Sequence, residues 1–254
     1  MNSKRAIGVA AVASADLPDP RVRVRRVDVL ADDWGVLKRT FLDYQRGDGT
    51  WQEQRRETYD RGDGAVVLPY DPVGRTVVLV RQFRFPAWSV GHPGFLIEAP
   101  AGLLDEASPE RRVAAEAEEE TGFRLRTPRK VFELFMSPGS VTERLHCFVA
   151  EVEPGAGVGG GVAAEGEDIE VLELPFTEAE AMVANGEIAD AKTVVLLQYA
   201  RLHLFADPPT VDGFPMRPDG PSDDCSCPSR TARRTRRCWW HGGGELPPSP
   251  SARA

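Results

Sequence analysis

Residues 102–123 read GLLDEASPERRVAAEAEEETGF, and the local chemistry of this stretch decides how the chain around it folds. Ser108 followed by Pro109 is a helix start, with Ser108 at the N-cap and proline at the first helical position. Thr121-Gly122 is the stop, because glycine accepts the left-handed conformation that closes a helix. Between them Glu116, Glu119 and Glu120 stand at i, i+3 and i+4, which puts three carboxylates on one face of a short helix. Such neighbours repel by a few tenths of a kcal/mol per pair. The cluster therefore reads either as a solvated acidic face or as a site for a hard divalent cation. Mg²⁺ takes one or two carboxylates and fills its remaining positions with water and substrate phosphate.

Working outward, residues 95–99 form a short apolar strand, joined to the helix by a glycine-containing loop. Upstream, residues 22–24 and 27–29 alternate apolar and polar. Arg46-Gly47-Asp48-Gly49 reads as a hairpin turn with arms at 36–44 and 51–59. Residues 65–68 and 76–83 are two more strands, separated by a break over 69–74. Downstream, strands are expected at 131–136, 145–152 and 169–174. A helix runs from Thr177 to Asn185-Gly186, with Thr177 and Glu180 spaced as a capping box. Asp190 caps another helix ending near Phe205. A glycine-rich loop over 155–161 turns acidic at Glu165, Glu167 and Asp168. Cys147 alternates within an apolar strand and reads as core, and His92, His146 and His203 show no ligand spacing. Mixed strands with a few helices predict an α/β (α+β) sandwich.

Composition sets the outer bounds. The 254 residues are 41% apolar and 28% charged, which is ordinary globular usage. No run approaches the ~18 apolar residues that a spanning helix needs. A net charge of −8 and a pI near 5.2 argue against a nucleic-acid partner. Four cysteines in a chain this long do not make a disulfide scaffold. Residues 206–254 hold 9 of the 21 prolines, 7 of the 31 Lys+Arg and 6 of the 39 Asp+Glu. That composition buries too little apolar surface to offset chain entropy, so the segment reads as a disordered tail. Its Cys225, Cys227, Cys238 and His241 lack the usual zinc-knuckle spacing. Residues 1–20 read as a disordered leader, whose weak apolar stretch resembles a signal peptide only superficially.

Taken together, these motifs resemble the Nudix hydrolases, whose signature is Gly-x5-Glu-x7-Arg-Glu-U-x-Glu-Glu-x-Gly-U, with U aliphatic or aromatic. Glu116, Ala117, Glu119, Glu120, Gly122 and Phe123 match its second half. The first half departs: the loop after Gly102 is one residue short, with Glu106 the nearest glutamate, and the arginine position holds Ala115. Arg112, four residues before Glu116, offers a substitute cation. Further motifs narrow the resemblance. They are Arg56-Glu57-Thr58-Tyr59-Asp60-Arg61-Gly62, Val80-Arg81-Gln82-Phe83-Arg84, Gly102-Leu103-Leu104-Asp105, Ser137-Pro138-Gly139, Glu167-Asp168-Ile169-Glu170 through Pro175-Phe176 and Gly186-Glu187 through Asp190-Ala191-Lys192-Thr193. Over roughly residues 25–205 the chain is similar to the GDP-mannose pyrophosphatase subfamily and to the neighbouring ADP-ribose pyrophosphatases. That subfamily accepts the short loop and the missing arginine.

The resemblance implies a Nudix α/β/α sandwich with a mixed sheet over 61–205, and an N-terminal β region over 21–60 that serves a homodimer. It implies Mg²⁺- or Mn²⁺-dependent hydrolysis of the pyrophosphate bond of a nucleoside diphosphate sugar by a cytoplasmic enzyme, with no membrane or nucleic-acid partner. GDP-mannose is the first-choice substrate and ADP-ribose the second. A non-catalytic nucleotide-sugar sensor is a further alternative, which the three box glutamates oppose. By position, the metal ligands would be the Ala101 carbonyl, Glu116, Glu120 and Glu167. Glu119 would be a further ligand or orient Glu116, and Glu167 or Asp168 would activate the attacking water. Arg84, Glu143 and Lys192 would meet the substrate from one subunit. Trp34, Arg55, Arg56 and Glu57 would meet it across the dimer, with Trp34 either stacking on a base or filling a core.

Overall fold

Both faces of the strand Gly64–Asp71 are buried, and that single fact organises the molecule. The computed structural model describes residues 19–104, 108–153, 161, 168–206, 210–211 and 214–215. The leader, Glu106, Glu165, Glu167 and most of the tail, including its cysteines, lie outside them. The chain begins with three antiparallel strands, β1 (Val22–Asp32), β2 (Val36–Gln45) and β3 (Trp51–Asp60), forming one small sheet. A larger mixed sheet has the order β10-β5-β4-β9-β8, from Glu170–Pro175, Thr76–Phe83, Gly64–Asp71, Arg144–Glu151 and Arg129–Phe135. Two short strands join it: β6 (Phe95–Glu98) pairs with β5, and β7 (Ala101–Leu103) pairs with β4. Only β4 and β9 pair in parallel among these ladders.

Alternation along β4 sends its side chains into two cores. Val66 and Leu68 join Val77, Leu79, Cys147 and Leu196 on one face, while Ala65 and Val67 join Val113, Ala117 and Phe148 on the other. The first face is covered by helices α3 (Phe176–Asn185) and α4 (Ala191–His203), the second by α2 (Pro109–Thr121). Each fully buried Val, Leu or Phe contributes roughly 1.5–3 kcal/mol, so a strand filled on both sides anchors the three layers. The expected sandwich is the observed one.

Several local readings are corrected. The break over 69–74 begins too early, because β4 continues through Pro69 to Asp71. On the β5–β7 side of β4, pairing runs over Gly64–Val66 with β7 and resumes at Tyr70 with β5. Pro69 falls in the gap, where no ladder needs its missing N–H. Thr177 is not a cap: α3 starts at Phe176, straight out of β10, with Pro175 in the N-cap position. Ser108 is at the N-cap of α2 as expected but makes no side-chain capping bond. Gly122 closes that helix at φ +71°. The two alternating pieces at 22–24 and 27–29 are one strand, interrupted by register shifts at Val24/Arg26 and Val29/Ala31. A bulge flips the alternation phase, so one strand reads as two. The short helix α1 (Phe85–Ser89) and strand β7 were not anticipated. Beyond Asp207, in a unit of its own, β11 (Thr210–Val211) pairs with β12 (Phe214–Pro215).

Candidate active site

The buried stripe of α2 is Val113, Glu116, Ala117, Glu120 and Thr121. That is the i, i+3, i+4, i+7, i+8 pattern of any core-facing helix, except that two of its five positions are glutamate. Glu116 is 7% exposed and Glu120 3%. Val113 and Ala117 fix the helix against β4, and Glu116 between them and Glu120 just beyond are carried inward by the same register. Glu119 lies off the stripe and is exposed. The three carboxylates therefore do not share one environment, because the stripe is too narrow to take the position next to Glu120.

The space that receives Glu116 is made by a glycine. A Cβ added to Gly102 would lie 1.6 Å from Glu116 Oε1 and 2.2 Å from its Cδ. The carboxylate thus rests directly on the β7 backbone, next to Ala101. Arg112, one turn earlier, pairs with Glu116 as expected. Buried carboxylates and a main-chain carbonyl are hard oxygen donors of the kind Mg²⁺ selects, and Gly102, which has no side chain, leaves Glu116 room beside the Ala101 backbone. These residues fit the expected ion. Among the described residues no three Asp, Glu, His or Cys side chains are already gathered as a ligand set, and Glu167, expected to complete it, lies outside them.

Beside the glutamates sits a second charged group. Glu98, the last residue of β6, is 2% exposed. Arg84 donates to it from Nε at 3.2 Å and from Nη2 at 2.7 Å, and Lys192 from Nζ at 3.0 Å. Burial pushes the Glu98 carboxyl up, but the Arg84 hydrogen bond and the Lys192 charge outweigh it and hold the carboxyl below its ordinary range. Burial likewise works against the Arg84 charge, and Glu98, with Glu120 and Asp190 behind it, more than restores it. Lys192 also reaches Asp190 Oδ1 at 2.9 Å. Asp190 is the N-cap that the sequence predicts, accepting from Thr193 N at 3.0 Å and from its hydroxyl at 2.6 Å. Arg84 and Lys192, distant in sequence, are thus brought together.

The remaining expected residues lie in three places. Glu143 is 9% exposed and accepts from Arg61 Nη2 at 2.7 Å. Arg61 also stands 5.6 Å from the centre of the Trp34 ring, so it links Glu143 to that indole. Trp34 is 68% exposed, which removes the core-filling alternative, and it leans against Tyr59 at 6.4 Å. Arg55, Arg56 and Glu57 are exposed on β3 and make their contacts within the small sheet: Arg56 to Gln54 and the Arg55 carbonyl, Glu57 to Arg39. Asp168 lines an open cleft of about 350 Å³ with Arg81, Phe95, Ile169 and Glu170.

Sequence reasoning gave no role to Glu98, nor to Arg61, which it met only as part of the motif at 56–62. The signal for Glu98 was present, since a lone charge inside the apolar run 95–99 must be paired if the strand is buried. Arg61 carries no such mark. It sits in a polar turn, and only the fold turns it toward Glu143.

Comparison with known proteins follows the same outline. The profile of the GDP-mannose pyrophosphatase NudK N-terminal domain matches residues 21–59, and that of the NUDIX domain matches residues 60–197. The GDP-mannose pyrophosphatase of Klebsiella pneumoniae subsp. pneumoniae is 50% identical over 179 residues, covering 70% of this chain and 90% of that one. The same-named protein of Pectobacterium atrosepticum is 50% identical over 173 residues, covering 68% and 90%. The protein of that name from Yersinia enterocolitica is 48% identical over 179 residues, covering 70% and 94%. Among solved structures, a protein titled ADP compounds hydrolase superposes with a TM-score of 0.57 at 17% identity, covering 73% of this chain and 95% of that one. At that identity the likeness speaks for the fold. No helix among the described residues is long and apolar enough to cross a membrane.

Proposed function

Because the chain belongs to the NUDIX family, we propose that it hydrolyses the pyrophosphate bond of a nucleoside diphosphate sugar, GDP-mannose first, to a nucleoside monophosphate and a sugar 1-phosphate. One observation carries this reading: two glutamates occupy core positions of α2, and one of them, Glu116, rests on β7 where Gly102 leaves it space. Their oxygens, with the Ala101 carbonyl beside Glu116, are the hard donors that a divalent cation takes together with substrate phosphate. The curated relatives of the same name, at about half identity over nine-tenths of their length, support the choice of substrate.

We assign the Ala101 carbonyl, Glu116, Glu120 and Glu167 as holders of Mg²⁺, with Mn²⁺ as a substitute. The ion supplies neutralisation of the diphosphate and acidifies a water for attack. The chain does the rest. Arg84 and Lys192 hold the phosphate oxygens, arginine through parallel donors and lysine as a point charge. Glu143, held by Arg61, orients the nucleoside side. Glu167 takes the proton of the attacking water, with Asp168 the weaker candidate, and Glu119 steers Glu116 from the helix surface. Trp34, Arg55, Arg56 and Glu57 reach the substrate of the partner subunit, which gives the 21–60 region its role in a homodimer. The setting is cytoplasmic. ADP-ribose is the alternative substrate, since the same groups serve any nucleoside diphosphate ester.

The test is release of nucleoside monophosphate from GDP-mannose and ADP-ribose side by side, with Mg²⁺, by the wild-type protein and Glu120→Gln. GDP-mannose turnover, lowered in the variant by more than about a hundredfold, is expected. That loss exceeds the 10–100-fold typical of groups just outside a metal's ligands. Preference for ADP-ribose moves the protein to the neighbouring branch. Binding of both without turnover overturns the hydrolase and leaves a sensor.

A further inference from the structure

We propose that Glu98 is a positioning residue for the diphosphate, holding Arg84 and Lys192 together as one preformed clamp; this rests on the reading that those two cations meet the substrate. Glu98 Oε2 alone accepts from both, at 2.7 Å from Arg84 Nη2 and 3.0 Å from Lys192 Nζ. A single oxygen therefore sets two positive groups side by side. Unshielded, two like charges at such spacing repel strongly in a partly buried site, and each side chain would swing away. The carboxylate between them makes the arrangement stable before any phosphate arrives.

The fold fixes the carboxylate as firmly as it fixes the cations. The residue after Glu98, Ala99, donates its N–H to Thr193 Oγ1 at 2.7 Å. Thr193 is itself fully buried and bound to Asp190. The end of β6 and the first turn of α4 are thus fastened at adjacent residues, and Glu98 and Lys192 hang from that fastening. Burying a charge in this way is poor value as stability alone, since apolar residues of similar volume commonly do as well or better. The geometry also leaves the clamp usable. Arg84 commits Nε and Nη2 to Glu98 and keeps 39% of its side chain exposed, so its outer edge stays available for a second acceptor.

The experiment is calorimetric titration of inorganic pyrophosphate into the full-length protein, free of divalent metal, so that only the clamp is read. Glu98→Gln keeps the shape and removes the charge. It is expected to weaken pyrophosphate binding about tenfold, and to change nothing further when added to the Arg84→Gln/Lys192→Gln pair. In turnover, it raises KM for the nucleotide sugar with a smaller change in kcat. Unchanged or tighter binding by Glu98→Gln overturns the proposal, because Glu98 then only competes with phosphate for the cations. An equal loss in the background lacking both cations also overturns it, as general damage. So does wild-type protein that does not bind pyrophosphate. Where Glu98→Gln does not fold, Glu98→Asp replaces it. The carboxylate then withdraws by one methylene, weaker binding is again expected, and unchanged binding overturns the clamp. Pyrophosphate binding with the expected coupling but no hydrolysis of any nucleotide sugar defeats the enzymatic reading and leaves the clamp standing.

Discussion

At the scale of single residues, Gly102 separates stability from chemistry more cleanly than the glutamates do. Its backbone has no positive φ, so alanine is conformationally acceptable there. What the added methyl meets is the end of the Glu116 side chain, 1.6 Å from Oε1. The side chain must shift from its Cγ outward, which lies 2.7 Å away, and it cannot then rest on β7 beside Ala101. Gly102→Ala should therefore lose about 1–3 kcal/mol of stability, as overpacking does. Activity with Mg²⁺ should fall at least about tenfold, as expected for displaced metal-site groups. Thermal unfolding and kcat measured on one preparation check this. An unfolded variant would place Gly102 among the core glycines, and an active one would remove Glu116 from the metal's neighbourhood.

Elements show why some of this was legible in the sequence and some was not. The stop at Gly122, the Asp190 cap, the 46–49 turn and the pairing of Arg112 with Glu116 are local, and each is decided within four residues. The false capping box at Thr177 is local too, but the tertiary run of β10 into α3 overrides it. Glu119 was misplaced because residue spacing gives the angle between side chains and not which angle faces the core; Val113 and Ala117 decide that. The Glu98 cluster was hidden because its members come from β6, α4 and the end of β5. The helix that holds Lys192 depends on one cap. Asp190→Ala should cost about 1–2 kcal/mol through the lost bonds to Thr193. That corresponds to roughly 2–8 °C in melting temperature for a domain of this size. It should also loosen Lys192, so KM for the nucleotide sugar rises while Glu120-dependent chemistry remains. Melting curves and steady-state kinetics report the two effects separately, and an unchanged melting temperature would show that the cap is not what holds α4.

For the whole molecule, the open matter is what the small sheet does. It is tied to the larger domain where Tyr59 exchanges backbone hydrogen bonds with Ser140 and Thr142, at 2.8 and 3.1 Å. Trp34 and Arg61 extend that tie to Glu143. Arg55 and Arg56 instead stay exposed on the outer strand, as groups meant for another chain would. If they serve the partner's substrate, the active site is divided between subunits, and division has an arithmetic consequence. Take one variant with Arg55→Ala and Arg56→Ala, and a second with Glu120→Gln, each inactive or nearly so alone. A mixed dimer of the two has one site in which intact Glu120 meets intact arginines, and one site broken twice. Random exchange makes about half of all dimers mixed, so activity should recover to roughly a quarter of the wild-type value in a closed two-fold dimer. Recovery should follow the rate of subunit exchange after mixing. If each site is built from one chain, mixing restores nothing, because every site carries either the lost glutamate or the lost arginines. A mixing experiment with no recovery, in a preparation whose mass shows dimers and whose subunits exchange, would return Arg55 and Arg56 to the ordinary surface.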